Sequence, residues 1–399
     1  MKKLKILLVA HKFPPFMGGI EMHTFEVGRR MAALAHSVTV LTADNADRLP
    51  REEMMSGMRV VRVPARPKGS DLFFAPGIYR EVTRGSWDVI HVQGFHTFVP
   101  PLALFGAVRS GATVVMTFHS GGHSSSWRNQ IRNAQRAILR PLITRADRLI
   151  AVSEFEAELF AKGLRVAREQ IVVVPNGAEI DAASGVAPAD PRRPLILTVG
   201  RLEKYKGHQR VIAAFAELLK FRPQAQLRVL GEGPYKNELV ALVDKLGLQG
   251  RVTIGGIPSQ ERRRMGDMLS RASAIVLLSD YEAHPVAALE AISLGRPVLA
   301  SNSTGFAEMV AKGQVRGIDP DTAPAIVARA ILEEVDREPT DRPKFAIATW
   351  DDCARNLVEV YRDTLSRKNK GRSVGRDPIA LGRAPSCESE TKELERELY

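Results

Sequence analysis

The chain has 399 residues, 44% of them hydrophobic and 26% charged, which excludes a disordered, collagen-like or coiled-coil protein and, at about 150 residues per domain, favours two domains. Lys and Arg (57) outnumber Asp and Glu (45) to give a net charge of +12, a balance that suits anionic partners such as nucleotides, lipid headgroups or nucleic acid without choosing among them. Two cysteines, Cys353 and Cys387, make neither a disulfide framework nor a four-thiolate zinc site, so a reducing compartment, the cytoplasm, is expected.

In chain order, Lys2, Lys3 and Lys5 precede only Ile6–Ala10 before His11 and Lys12 interrupt, too short an apolar core for a signal peptide, so a first strand is expected at Lys5–Val9. Short β-branched runs then recur with helical stretches between them, the pattern of parallel sheets with crossover helices. The first series predicts a helix at about Ile20–Leu34. Its further strands are Ser37–Thr42, Met58–Val63, Asp88–Val92, Thr113–Phe118, Arg148–Val152 and Ile171–Val174. The longest apolar run, Phe98–Val108, is about half of the ~20 residues a membrane helix needs and contains Pro100 and Pro101, so no bilayer span is expected. The second series predicts strands Leu195–Val199, Leu227–Leu230, Val252–Ile254, Ala274–Leu278 and Pro297–Ala300. Helices are predicted at Gln209–Leu219, Lys236–Leu246 and Val286–Leu294. Both halves read as doubly wound α/β domains, residues 1–180 and 195–349. Gly185, Pro188, Pro191 and Pro194 mark a linker at 181–194. Residues 367–399 are charged and poor in large apolar side chains, and are expected to form a mobile tail.

Ligands of open parallel sheets bind at the carboxyl ends of strands. The first strand is followed by Pro14-Pro15-Phe16-Met17-Gly18-Gly19-Ile20-Glu21, where Gly18 and Gly19 let backbone amides approach an anion at a helix start. The strand at Thr113 ends in His119, whose imidazole is a candidate donor to a sugar hydroxyl or a developing charge. His91 reads instead as a core residue. In Gly200-Arg201-Leu202-Glu203-Lys204-Tyr205-Lys206-Gly207, Arg201 and Lys206 bring two cations over one phosphate-sized site. Glu282 leaves a strand end and Glu290 follows one turn into a helix. Eight apart, they are able to accept from two sets of hydroxyls on one extended ligand, with the Val286 and Ala287 amides facing an anion. Asp319-Pro320-Asp321 lies among turn formers and reads as a helix cap rather than a metal motif.

These residues carry a resemblance. Glu282 to Glu290, running into Ala291-Ile292-Ser293-Leu294-Gly295-Arg296-Pro297-Val298, resembles the Glu-x7-Glu signature of retaining glycosyltransferase family 4. The Val199-Gly200-Arg201-Leu202 to Lys206-Gly207 block, Pro14-Pro15 with Gly18-Gly19 and Glu21, Val152-Ser153 and Pro175-Asn176-Gly177 follow the same family in the same order, over about Lys5 to Tyr361. The resemblance implies a GT-B fold, two Rossmann-like lobes facing across a cleft, with a C-terminal helix at 350–366 crossing back to the first lobe. It implies a nucleoside-diphosphate sugar as donor, Glu290 on the ribose, and Arg201, Lys206, Gly18, Gly19, Val286 and Ala287 on the diphosphate. His119 and Glu282 would face the transferred sugar. Family members often carry Gly-Phe-Gly after the first Glu, where this chain has Ala283-His284-Pro285. Pro285 has no amide to donate, so Ala283 and His284 are the expected sugar contacts, with His284 as replacement donor. With Arg201, Lys206 and amides taking the leaving-group charge, no metal and no other cofactor is expected. Retention is expected to proceed with the acceptor attacking on the face the phosphate leaves.

Arg128, Arg132, Arg136 and Arg140 recur every four residues and form a helical stripe, a candidate contact with an anionic membrane surface and a lipid-linked acceptor. A saccharide acceptor on the inner face of the membrane is therefore expected. Only six tyrosines and three tryptophans, none interleaved in the stripe, argue against nucleic acid as a partner. The alternatives on the same fold are a sugar-phosphate synthase, a phosphorylase or a non-catalytic nucleotide-sugar-binding subunit.

Overall fold

The computed structural model describes residues 2–16, 18–46, 48–69, 73–120, 126–183, 190–258, 261–337 and 345–374, with the backbone alone at 126–133 and 371–374. The first lobe runs β1 (Lys5–Val9), α1 (Gly19–Ala33), β2 (Ser37–Asp44), β3 (Glu52–Met55), β4 (Met58–Pro64), α2 (Gly77–Arg84), β5 (Val89–Gln93), α3 (Val99–Ser110), β6 (Thr113–Thr117), α4 (Ser126–Ile143), β7 (Arg148–Ala151), α5 (Glu154–Leu164) and β8 (Ile171–Val173). The second runs β9 (Leu195–Val199), α6 (His208–Leu218), β10 (Gln226–Leu230), α7 (Lys236–Lys245), β11 (Val252–Gly255), α8 (Arg262–Arg271), β12 (Ala274–Leu277), α9 (Val286–Ser293), β13 (Val298–Ser301), α10 (Thr304–Ala311), β14 (Arg316–Ile318) and α11 (Pro324–Asp336). A last helix, α12 (Trp350–Val374), follows.

The first sheet has the order β3-β4-β2-β1-β5-β6-β7-β8 and the second β11-β10-β9-β12-β13-β14. All pairings are parallel except β3 with β4. Helices cover both faces, so strand residues such as Ile6, Leu7, Leu8 and Val9 are all buried and read as continuous apolar runs. Strand order reverses beside β1 in one sheet and beside β9 in the other, which opens the crevices at the loops beginning with His11 and Gly200.

The apolar run at Phe98, expected only not to span a bilayer, forms α3, with Pro100 and Pro101 in its first turn, where a missing N–H costs no helix bond. Two local expectations change. Asp319 makes a turn rather than a helix cap: its carboxylate accepts from the Asp321 amide at 2.9 Å, while α11 starts later, after Ala323. The final helix runs through Val374, so the expected tail is helical at 367–374; residues 375–399 lie outside the described residues. Among the described residues no helix is long and apolar enough to cross a membrane.

The chain passes between the lobes twice, side by side. Ala178 N–H donates to Ala348 O at 2.9 Å. A Cβ on Gly177 would lie 2.3 Å from the Trp350 amide nitrogen, so only glycine permits this approach. From there α12 packs Trp350, Cys353, Leu357 and Tyr361 against Leu4, Ile6, Leu8 and Met31 of the first lobe. Burial drives the Cys353 thiol up to about 12, leaving it inert. Arg30 of α1 is buried and pairs with Glu26, with Glu179 on the first passage and with Asp351 on the second.

Candidate active site

In the second lobe, β9 ends at Val199, Gly200 follows, and the loop returns through a single 3-10 turn at Lys204–Lys206 to Gly207, which has φ +73°. A Cβ there would sit 1.8 Å from the Leu278 carbonyl oxygen at the end of β12. Glycine is thus needed twice over, for conformation and for closeness. Lys206 Nζ reaches across this contact to Glu282 Oε1 at 2.6 Å, and Ser279 Oγ donates to the same oxygen at 2.8 Å. Burial works most strongly against the Lys206 charge, but the Glu282 carboxylate and Tyr205 together outweigh it and hold its pKa above the usual lysine value. His208, an unremarked residue in the sequence, is buried and neutral, its pKa pushed down to about 4 by burial. Its Nε2–H donates to Arg201 O at 3.2 Å and its Nδ1 lies 3.1 Å from Thr198 Oγ1, which fixes the cation loop. Gly207→Ala is expected to lower stability by more than about 1 kcal/mol in thermal or urea unfolding, because strained φ and backbone overlap add.

Arg201 is 60% exposed and pairs with Glu203 at 3.5 Å. Its charge also acts across the cleft on Glu21 of α1, opposing the rise that burial gives that carboxyl. The glycine pair differs from expectation in one respect. The Glu21 carboxylate accepts from the Gly18 amide and from its own, so the Gly18 N–H is already engaged and the helix start carries a resident negative group. Burial raises the Glu21 pKa, with Lys12 and Arg201 opposing. The glycine-x-x-Glu spacing resembles a capping box and was the available signal.

His119 follows β6 in the left-handed region, φ 47°. Its Nε2–H donates to Gln93 Oε1 at 2.7 Å, a partner that the sequence did not single out, at the end of neighbouring β5. Gln93 Nε2 in turn lies 3.3 Å from His91 Nδ1. His91 is fully buried, 2.6 Å from Tyr361 OH of α12 and 2.7 Å from Thr117 Oγ1, the satisfied core residue expected. Burial, then the neighbouring histidines, hold the His119 pKa well below the ordinary value, so its ring is neutral.

His23 of α1 packs edge-on against His119, ring centroids 4.5 Å apart, and its Nδ1–H donates to Asn176 Oδ1 at 3.0 Å. Asn176 also donates its backbone N–H to His284 Nδ1 at 3.2 Å and its side-chain amide to His284 O at 3.1 Å. His284 is thus tied to the lobe junction through Nδ1, leaving Nε2 as its only ring donor. Burial pushes the His23 pKa down to about 4, below the 6.5 of an open chain. Its neutral form therefore stabilises the fold above pH 6.5, and about 3 kcal/mol is lost as pH falls from 6.5 toward 4. Thermal midpoints between pH 7 and 4.5 are expected to fall more steeply for the native chain than for His23→Gln.

Ala283 is buried, its carbonyl oxygen 2.1 Å from where a Cβ on Gly305 would stand. In α9, Val286 and Ala287 form the first turn, the first internal bond running from Ala288 N–H to Pro285 O. Glu290 is buried on the following turn and pairs with Arg262 of α8, a partner without sequence signal. Burial raises the Glu290 pKa, Arg262 opposes, and Glu26 of the first lobe adds to the rise. Among the described residues, no group of three or more His, Cys, Asp or Glu side chains is placed to hold a metal ion.

The arginine stripe is divided. Arg140 donates to Leu164 O, the last residue of α5, at 2.6 Å, and Arg136 lies over the Phe160 ring at 5.7 Å. These two half-buried cations pack on α5 rather than standing free as a stripe: the carbonyl at the end of α5 attracts Arg140, and the aromatic face attracts Arg136. The side chains of Arg128 and Arg132 lie outside the described residues.

Two Rossmann-like sheets with their strand ends converging on one groove form a GT-B fold, α/β in class. A solved sucrose-phosphate synthase from Thermosynechococcus elongatus matches with TM-score 0.71 at 20% identity, covering 92% of this chain and 100% of that one. Residues 17–182 match the family described as Glycosyltransferase Family 4, and residues 180–342 match Glycosyl transferases group 1. The glycogen synthase of Mycobacterium tuberculosis is 31% identical over 348 residues, 78% of this chain and 81% of that protein. The GDP-mannose:cellobiosyl-diphosphopolyprenol alpha-mannosyltransferase of Xanthomonas oryzae is 27% identical over 380 residues, 91% and 97% of the two chains. The chain belongs to glycosyltransferase family 4, and glycosyl transfer is its general reaction.

Proposed function

We propose that the protein is a retaining, metal-independent transferase that moves a hexose-type sugar from a nucleoside-diphosphate sugar to a hydroxyl of a glycolipid or lipid-linked saccharide, working at the cytoplasmic face of a membrane. The observation that carries this reading is the Lys206–Glu282 pair at 2.6 Å at the ends of β9 and β12, with Arg201 on the same loop as Lys206. Lys206 and Arg201 neutralise the diphosphate, helped by the Gly19, Val286 and Ala287 amides. Glu290 takes the ribose hydroxyls, exchanging Arg262 for them. His119 and Glu282 face the sugar. The anomeric C–O bond to phosphate breaks, the acceptor oxygen bonds on the same face, and the acceptor proton passes to the departing phosphate oxygen. The lipid-linked acceptor is supported by the name of the Xanthomonas relative.

The test incubates the protein with UDP-, GDP- and ADP-sugars and polyprenyl-diphosphate or soluble saccharide acceptors, with and without chelator, and reads the anomer formed by NMR. A retained product at full rate in chelator supports the proposal; inversion, or loss of transfer on chelation, overturns it. Turnover only with free phosphate or a sugar phosphate would select the phosphorylase or synthase alternative.

A further inference from the structure

The cleft is spanned at two points by one closed circuit of contacts, and that circuit runs beside the two residues placed on the reacting sugar. Tyr281, immediately before Glu282, donates its hydroxyl to Ser120 Oγ in the opposite lobe at 2.7 Å, and Ser120 immediately follows His119. Ser120 is fixed in turn: its amide and hydroxyl donate to Glu156 Oε1 at 2.5 and 2.6 Å, while Glu156 Oε2 accepts from Val152 N–H at 2.9 Å. Glu156 is fully buried in the first turn of α5, which Ser153 caps by accepting from the Glu156 amide at 3.2 Å. The second span starts from that same turn, where Phe155 N–H donates to the Glu308 carboxylate of α10. The start of α10 holds Glu282 itself, through Glu282 N–H to Thr304 Oγ1 at 3.0 Å and Gly305 N–H to Glu282 O at 2.8 Å. The Phe155 ring meets Tyr281 edge-on at 5.7 Å.

We propose that Ser120 and Tyr281 are positioning residues that set His119 against Glu282 when the lobes come together. Each lies one peptide unit from its candidate catalytic neighbour, so the hydroxyl bond between them fixes the separation of the two loops. Misplacement by about 1 Å is enough to cost a reaction up to ~100-fold. The inference rests on His119 and Glu282 acting on the sugar, as proposed above.

The test compares Tyr281→Phe, Ser120→Ala and the double variant with the native enzyme. Each single change is expected to lower kcat about 5- to 20-fold with donor KM altered less than about 2-fold, and the double variant is expected to be no worse than the weaker single. Unchanged kcat, a loss confined to KM, or fully additive losses would overturn the proposal. Should Ser120→Ala fail to fold, Tyr281→Phe with Glu308→Gln, which weakens the second span, carries the same comparison. Hydrogen exchange at the Ser120 amide separates this inference from the transfer reading. Exchange faster in Tyr281→Phe supports the contact even if no sugar donor is turned over, and equal exchange removes it.

Discussion

Lys206→Ala is expected to slow sugar transfer at saturating donor at least about 100-fold, equivalent to about 2.7 kcal/mol of transition-state stabilisation. Two effects act in the same direction. On the proposed reading, the departing diphosphate loses a cation that neutralises it. Glu282 is then left as a half-buried carboxylate without its partner, facing an anion. The native pair has side-chain exposures of only 17% and 16%, so solvent screens little of this repulsion. Lys206→Arg keeps the charge but replaces a compact ammonium by a planar fork, and is expected to recover only part of the rate. The measurement is kcat in purified variants whose thermal midpoints show them folded. Near-normal turnover in Lys206→Ala would remove the diphosphate role.

Glu290→Ala is expected to raise donor KM at least about 10-fold while changing kcat much less, because a ribose contact present equally in ground and transition states affects binding alone. The Arg262 pair makes a sharper experiment possible. Burial already lifts the Glu290 pKa, and Arg262 holds it down. In Arg262→Ala that restraint is gone, so the carboxyl takes up a proton at higher pH than in the native chain. A protonated Glu290 loses its charge and part of its acceptor capacity. Donor KM is therefore expected to rise more steeply with falling pH in Arg262→Ala than in the native enzyme. An unchanged donor KM in Glu290→Ala would take this residue off the ribose.

The parallel sheets were legible because buried strands carry apolar, β-branched runs, and eleven of the twelve expected strands, such as Lys5–Val9, end within one residue of the expectation; only Ser37–Thr42 runs further, to Asp44. The strand Glu52–Met55 was not, since an antiparallel edge strand with alternating exposed residues lacks that signal. Nor was Arg316–Ile318, three residues recruited onto an existing edge. Strand-end logic located His119, Lys206, Arg201 and Glu282 at the groove. The contacts between the lobes were beyond its reach: Asn176 with His284 and Tyr281 with Ser120 are more than 100 residues apart in sequence, and although His284 and Asn176 were each marked by a motif, nothing local pairs them. The arginine stripe shows the converse error. Its periodicity was real, but periodicity does not say whether a cation faces solvent or the carbonyl end of a neighbouring helix.

The paired passages at Gly177–Ala178 and Ala348–Trp350 have a mechanical consequence. Two connections at one corner, riveted by Arg30 to carboxylates on both, act as the spine of a book, leaving the lobes free to part only by swinging about it. Displacement then grows with distance from that corner. The Asn176–His284 contact, one residue from the Gly177 passage, then moves least as the pages open and admit a substrate.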